Sequence, residues 1–311
     1  MRTFSIVSLM LLQSMFTFAA DDGFVVSDAK ISDGQLLEYA NFPTKYVAPR
    51  NVYVLLPDGY DANKKYDVVY MHDGQMLFDS KTTWNHQEWM VDETVGALLK
   101  ADKIRPCIIV GIWNIPEKRF YDYFPQGTLK YMSKAEYKEF DAEMEAKNFD
   151  ADGYLHFIVD ELKPYIDSHF ATNTSREHTF LMGSSMGALI SLYGVCEYPD
   201  VFGGAACLSL HSVMITSKVQ NLRNTAIAAP AFCRYLNAHL PKTNSAKIYI
   251  DYGDKTLDAL YGPYQAQIDS VMYDKGWRKP YWTTNYYPGM AHTETDWAQR
   301  LFIPLMFLLG R

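Results

Sequence analysis

The chain has 311 residues, 48% hydrophobic and 21% charged, which is the balance of a globular protein with a sizeable core. A formal net charge of −7 argues against the basic face of a nucleic-acid binder and against a polybasic membrane patch. Aromatic residues reach 15%, with 23 tyrosines, which fits either a ring-lined binding surface or tyrosines packed at core edges.

In chain order, the first element predicted is a targeting segment. Arg2 supplies the positive charge, and an apolar run from Phe4 to Phe18 follows. Small residues around Ala19 precede Asp21 and Asp22. This pattern predicts a cleavable secretory signal over 1–19, a mature chain starting at Ala20 or Asp21, and a secreted or periplasmic protein. The run is short for a membrane span, so no stable membrane anchor is expected. Residues 20–311 read as one catalytic domain, with no internal repeat or low-complexity stretch.

Residues 35–42 and 50–56 read as strands, and Pro57-Asp58-Gly59-Tyr60 as a turn. Residues 66–71 and 106–112 are short apolar runs, as expected of strands buried on both faces. Between them, 88–100 predicts a helix with Met90, Val91, Val95, Leu98 and Leu99 on its apolar face. The polar stretch 129–153 reads either as a lid or insertion beside a site or as a solvated helical face. Residues 154–170 predict an amphipathic helix built on Ile158, Leu162 and Ile166. Strand 178–183, helix 188–196, strands 204–210 and 247–252, helix 265–275 and strand 282–287 complete the pattern. This alternation implies an α/β protein with a mostly parallel central sheet and helices on both faces. The four cysteines, Cys107, Cys196, Cys207 and Cys233, lack metal-ligand spacing and are expected as free thiols in apolar runs.

Gly183-Ser184-Ser185-Met186-Gly187 is a G-x-S-x-G. The pentapeptide alone is weak. Its setting, between an apolar strand and an apolar helix, is what gives it meaning. A tight strand-to-helix turn holds the Ser185 hydroxyl above the sheet, and the helix N-terminus places free N–H groups beside it. A serine hydroxyl needs a base, and the base needs an orienting acid. Three histidines lie downstream. His239 sits in a helix-like run, and His211 ends a strand and reads as a pocket residue. His292, in a late loop after the last strand, is the candidate base. The acid belongs just past strand 247–252, where Asp254 and Asp258 compete on position. A tetrahedral intermediate also needs oxyanion donors. The candidates are the backbone N–H of Met186 and that of Gln75, in the loop after strand 66–71.

These residues resemble the esterase D-like branch of the α/β-hydrolases, which includes feruloyl and acetyl-xylan esterases and enterochelin-type siderophore esterases. The resemblance rests on Tyr70–Asp79, Thr83–Trp89, Gly111–Asn114, Gly183–Gly187, Gly204–Leu208 and Leu257–Tyr261. It implies an α/β-hydrolase fold, a three-layer sandwich, and a Ser185–Asp258–His292 triad that cleaves esters without cofactor or metal. A Leu-Asp-Ala-x-Tyr segment in relatives favours Asp258, with Asp254 in reserve. The chain lacks the HGGG loop of lipases and, unlike the cytosolic formylglutathione hydrolases of the branch, carries the signal-like segment. Secretion and aromatic content suggest feruloyl or acetyl esters of plant polysaccharide, with Trp84, Trp89 and Trp113 as stacking surface. Siderophore ester hydrolysis, acyl transfer and non-catalytic carbohydrate binding on the same scaffold are the alternatives.

Overall fold

The computed structural model describes residues 23–215 and 222–311. The stretch read as a signal segment, 1–19, lies outside the described residues. Among them a nine-stranded sheet runs in the order β1-β2-β3-β5-β4-β6-β7-β8-β9. Its strands are β1 Val25–Val26, β2 Gln35–Phe42, β3 Arg50–Leu56, β4 Asp67–His72, β5 Cys107–Ile112, β6 Thr179–Ser184, β7 Gly204–Leu208, β8 Lys247–Tyr252 and β9 Trp282–Tyr286. The pairs β1–β2, β2–β3 and β3–β5 are antiparallel, and every pairing from β5 across to β9 is parallel.

Side chains alternate across the sheet, as the two-residue period of a strand requires. On one face Val68, Tyr70, Leu181, Ala205, Cys207, Ile248 and Ile250 join one core cluster. On the other, Val69, Met71, Phe180, Met182, Ala206 and Tyr249 join a second. The first face is covered by α4 Ala151–His156, α5 Lys163–His169, α6 Met186–Glu197, α7 Leu222–His239 and α8 Gly262–Asp274. The second is covered by α1 Val91–Lys100, α9 Glu294–Arg300 and α10 Phe302–Leu309. Three layers result, the α/β-hydrolase architecture. Both faces are sealed, which is why the parallel strands read as unbroken apolar runs.

Departures from the predicted elements have local causes. The helix expected over 154–170 is interrupted by a π turn at Phe157–Leu162 between α4 and α5. Pro164 has no N–H to return to residue 160, and the wider turn absorbs the missing bond. The strand expected over 204–210 stops at Leu208, because Ser209 turns to a positive φ of 42°. The 129–153 stretch carries a two-sided helix, α3 Lys134–Met144, opened by a Ser133/Glu136 capping box. Its Phe140 and Met144 are buried with Phe124 and Phe149 in the first core cluster. α2 Arg119–Tyr123 and α10 were not anticipated.

Chain order puts β5 on one side of β4 and β6 on the other. A crevice opens at such a switch point beyond the carboxyl ends of the strands. The loops after β4 and β6 both end there.

Candidate active site

β6 ends at Ser184 and α6 begins at Met186, so Ser185 alone makes the turn, with φ 56° and ψ −121°. That conformation costs about 1–3 kcal/mol for a non-glycine residue and persists only where its surroundings enforce it. Here the Ser185 N–H donates to Leu208 O (3.0 Å), while Ser185 O accepts from the N–H groups of Ala188 (3.1 Å) and Leu189 (3.2 Å). A Cβ on Gly183 would sit 2.7 Å from the Gly187 carbonyl carbon, so the strand and helix can cross this closely only where the residue is glycine. Met186 is the first helical residue, and its N–H has no intrahelical acceptor.

The opposite wall is the turn after β4. Asp73 adopts φ 60°, and Gly74–Met76 closes a short 3-10 turn. A Cβ on Gly74 would lie 2.6 Å from the Gly111 carbonyl carbon. The turn is clamped from the β5 side. Arg119 donates from Nε to Asp73 Oδ1 (2.8 Å) and from Nη2 to Oδ2 (2.7 Å), and Asn114 Nδ2 donates to Oδ1 (2.6 Å). Gln75 Oε1 accepts the Asn114 N–H at 3.1 Å. Burial works to raise the Asp73 carboxyl, but the Arg119 charge and these hydrogen bonds outweigh it and hold it below its ordinary range.

Asp258 lies on a 3-10 turn, Thr256–Leu260, after β8 and is 1% exposed. Its Oδ1 accepts from His292 Nδ1 at 2.6 Å. Its Oδ2 accepts from Ser209 Oγ (2.6 Å) and the Gly253 N–H (2.7 Å). Burial again works to raise the carboxyl, and His292, Ser209 and Gly253 hold it below the usual value. With Nδ1 facing a carboxylate, His292 carries its proton there and Nε2 is left as the basic nitrogen. Asp254, the other candidate, points elsewhere. It accepts from Tyr286 OH (2.8 Å) and the Gly289 N–H (2.9 Å) and pairs with Lys255 (3.3 Å).

Ser185, Gln75 and His292 line one cleft of about 830 Å³, together with Asp73, Met76, Trp84, Trp89, Asn114, Arg119, Glu294 and Trp297. Ser185 and His292 face this cleft without a direct hydrogen bond between them. The Ser185 side chain instead interacts with the hydroxyl of Tyr261. Such contacts are often loose until a substrate completes the geometry.

Two predicted pocket residues fall elsewhere. Trp113 packs edge-on against Tyr53 (5.3 Å) at the second core cluster, and it is Asn114, one residue on, that reaches the cleft. Both residues follow the end of β5, and Trp113 turns to Tyr53 while Asn114 turns to Asp73. His211 is 4% exposed and does not line the cleft. Its Nε2 meets Ile215 O (2.7 Å), which can only accept, so Nε2 bears the proton and Nδ1 accepts from Tyr261 OH (2.8 Å). Burial pushes the His211 pKa down to about 3, keeping the ring neutral. Of the tryptophans singled out for stacking, Trp84 is 82% exposed on the rim, whereas Trp89 is buried against Trp297. Arg119, Glu294, Ser209 and Tyr261 went unassigned in the sequence. Tyr261 lay within the Leu257–Tyr261 segment, and the others carried no motif signal.

A smaller groove of about 480 Å³ at the amino ends of the strands, lined by Arg105, Arg176, His178 and Lys247, contains none of these groups.

The family model described as "Putative esterase" matches residues 46–306. Over 172 residues the chain is 26% identical to the Bacillus subtilis (strain 168) protein YjcH, itself uncharacterized, covering 55% of this chain and 60% of YjcH. It thus spans less than two thirds of the curated relatives it matches, 56% in the case of YbbA from the same strain. Among solved structures, it is similar to a ferulic acid esterase from Anaeromyces mucronatus in complex with ferulic acid. The TM-score is 0.59 at 19% identity, covering 92% of this chain and 94% of the other. It is also similar to the enterobactin esterase of Shigella flexneri, with a TM-score of 0.58 at 15% identity, covering 90% of this chain and 60% of the other.

Proposed function

Because the chain belongs to the family described as "Putative esterase", we propose that it is a serine carboxylic-ester hydrolase working through Ser185, His292 and Asp258. In this reading Ser185 Oγ attacks the ester carbonyl while His292 Nε2 takes its proton. Asp258 holds the ring with Nδ1 protonated and stabilises the imidazolium. The Met186 and Gln75 N–H groups donate to the developing oxyanion, and a single such donor is worth about 10²–10³ in kcat. His292 then protonates the leaving alcohol. Water attacks the acyl-enzyme by the same route, releasing the acid and restoring the Ser185 hydroxyl. No metal or cofactor is called for.

The observation that carries this reading is the 2.6 Å Asp258–His292 bond in the cleft that also holds Ser185 at a strained strand-to-helix turn. The test is Ser185→Ala on p-nitrophenyl acetate and butyrate, where kcat/KM should fall at least about 10³-fold. Full retained activity in that variant would overturn the assignment. Labelling by a fluorophosphonate, absent in the same variant, separates an enzyme from a carbohydrate-binding protein on a hydrolase scaffold.

For the substrate we propose an ester carried on plant polysaccharide, feruloyl or acetyl. The exposed Trp84 on the rim and the likeness to a ferulic acid esterase support this choice. Activity on methyl ferulate or acetylated xylan is expected; simple short-chain esters alone would remove it. The likeness to an enterobactin esterase supports the alternative of a siderophore ester, and acyl transfer to an alcohol would use the same acyl-enzyme. The reading also takes 1–19 as a cleaved secretory signal and 20–311 as one catalytic domain, secreted or periplasmic. N-terminal sequencing of the exported protein, expected to begin at Ala20 or Asp21, tests that point. Among the described residues no helix is long and apolar enough to cross a membrane.

A further inference from the structure

Behind Asp258 lies a buried polar network that ester chemistry as such does not require. Asp251, inside β8, is fully buried and grips Arg300 of α9 twice, Nε to Oδ2 at 3.1 Å and Nη2 to Oδ1 at 3.0 Å. The same Arg300 Nη2 reaches Ser209 Oγ at 3.0 Å, and Trp297 Nε1 reaches that oxygen at 2.9 Å. Guanidinium and indole N–H groups can only donate, so both lone pairs of the Ser209 hydroxyl are taken. Its hydrogen is left one acceptor, Asp258 Oδ2, at 2.6 Å, in the range of a charge-assisted bond. Ser209 has no exposed surface, and the Asp251 carboxylate also fixes its backbone, accepting the Ser209 N–H at 2.8 Å. The residue is held at φ 42°, a conformation glycine would adopt more readily. Serine therefore stands where backbone preference alone favours glycine.

We propose that Ser209 is a positioning residue that orients the Asp258 carboxylate toward His292, with Arg300 and Trp297 fixing the direction of its hydroxyl. The inference rests on the reading of Asp258 as the triad acid. One carboxylate oxygen is occupied by Ser209 and Gly253, so the other is committed to His292 Nδ1. The Asp251–Arg300 pair is the anchor that carries this order to β8 and α9. Removing either partner would strand a buried charge, so neither is a clean probe. Ser209 is, because its replacement deletes one oxygen.

The direction of the pH effect follows from Asp258. The groups facing it are His292, Ser209, Tyr261 and the Gly253 amide, with Arg300, Asp251 and His211 beyond. A hydroxyl donating to the ionised carboxylate favours the charged form. Its loss leaves more of the carboxylate's negative charge on the oxygen facing His292 Nδ1, which favours the imidazolium over the neutral base, so the acid limb of kcat/KM should move to higher pH.

The experiment compares wild type, Ser209→Ala and Ser209→Gly. Glycine suits the positive φ, which offsets part of the cost of losing the buried hydroxyl's bonds, so Ser209→Gly should fold better than the alanine variant and keeps the test open if that variant does not fold. The readouts are the pH profile of kcat/KM on p-nitrophenyl acetate and the low-field proton resonance of His292 Nδ1–H, assigned by its absence in His292→Ala. Both variants are expected to lose about tenfold or more in kcat, to show an acid limb displaced to higher pH, and to shift or broaden the resonance. A folded Ser209→Gly with wild-type acid limb and resonance would overturn the proposal while leaving the ester reading intact. If wild type hydrolyses no ester, the ester reading falls. The resonance then decides the Ser209 coupling by itself: a shift in Ser209→Gly upholds it and an unchanged signal overturns it.

Discussion

The molecule holds two aspartate–histidine pairs of equal length at opposite ends of its parallel strands. At the carboxyl ends, His292 Nδ1 meets Asp258 at 2.6 Å, and at the amino ends, His178 Nδ1 meets Asp67 at 2.6 Å. Their surroundings differ. Asp67 also takes Arg105 Nε (2.8 Å) and Asn173 Nδ2 (3.3 Å), and the nearby Lys247 Nζ is spent on the Phe307 and Leu308 carbonyls. That end ties the start of β4 and the end of α10 together. The His292 pair instead faces a cleft with a strained serine, a helix N-terminus and a clamped turn. A short Asp–His bond is thus no signature of chemistry; the uncommitted groups gathered around the second ring nitrogen are.

Breaking the two pairs should separate them sharply. His292→Ala is expected to cost about 10⁶-fold in kcat, as for a general base in a serine triad. His178→Ala, whose partner is also held by Arg105, should leave ester hydrolysis within about twofold. It should shift unfolding stability by about 1 kcal/mol or less, because the imidazole is partly exposed. Steady-state kinetics and urea melts check both.

A smaller but sharper contrast lies within one loop. Asp258→Asn should lower kcat by about 10⁴-fold through the wrong imidazole tautomer. Asp254→Asn, which loosens surface contacts with Tyr286, Gly289 and Lys255, should fall within a few-fold of wild type. Equal effects in kinetic assays would break the distinction drawn between them.

The clamp on the turn after β4 comes next. Arg119→Ala frees Asp73 and should cost up to about 10²-fold in kcat, the scale of a 1 Å misplacement of a reacting group. Its stability effect should also depend on pH. The Asp73 carboxyl is held below its ordinary value, so its contribution is complete above the unfolded value of about 3.9 and is lost as pH falls through the lower folded value. Without Arg119, burial raises the Asp73 carboxyl of the variant, so the stability gap between wild type and Arg119→Ala should be full at pH 7 and shrink as pH falls into the acid range, in urea melts across the range.

Much of the frame was legible in the residues, because it rests on short-range physics. Strands β2, β3 and β8 fall where apolar patterning put them, and the turn at Ser185 follows from two glycines between an apolar strand and an apolar helix. The interruption near Pro164 and the end of β7 at Ser209 were not read, since the first trades one bond pattern for another and the second depends on Asp251. Trp113 reads as a pocket residue in the sequence, whereas Asn114 reaches the cleft, because past the end of β5 the direction of each side chain is set by contacts with Tyr53 and Asp73 that are distant in the chain.

By itself, then, the sequence determined the layered α/β frame and the place of Ser185, through periodicity, turn chemistry and the need for bare Cα atoms where strand and helix cross. Only the tertiary structure decided which carboxylate faces His292. Asp254 and Asp258 are four residues apart in one loop, and the direction of each is set by the turn Thr256–Leu260 and by distant partners. Those partners, Ser209 and His292, stand 49 and 34 residues away. Hydrogen bonds of that span leave no local pattern, since they exist only once the sheet has brought β7, β8 and α9 together.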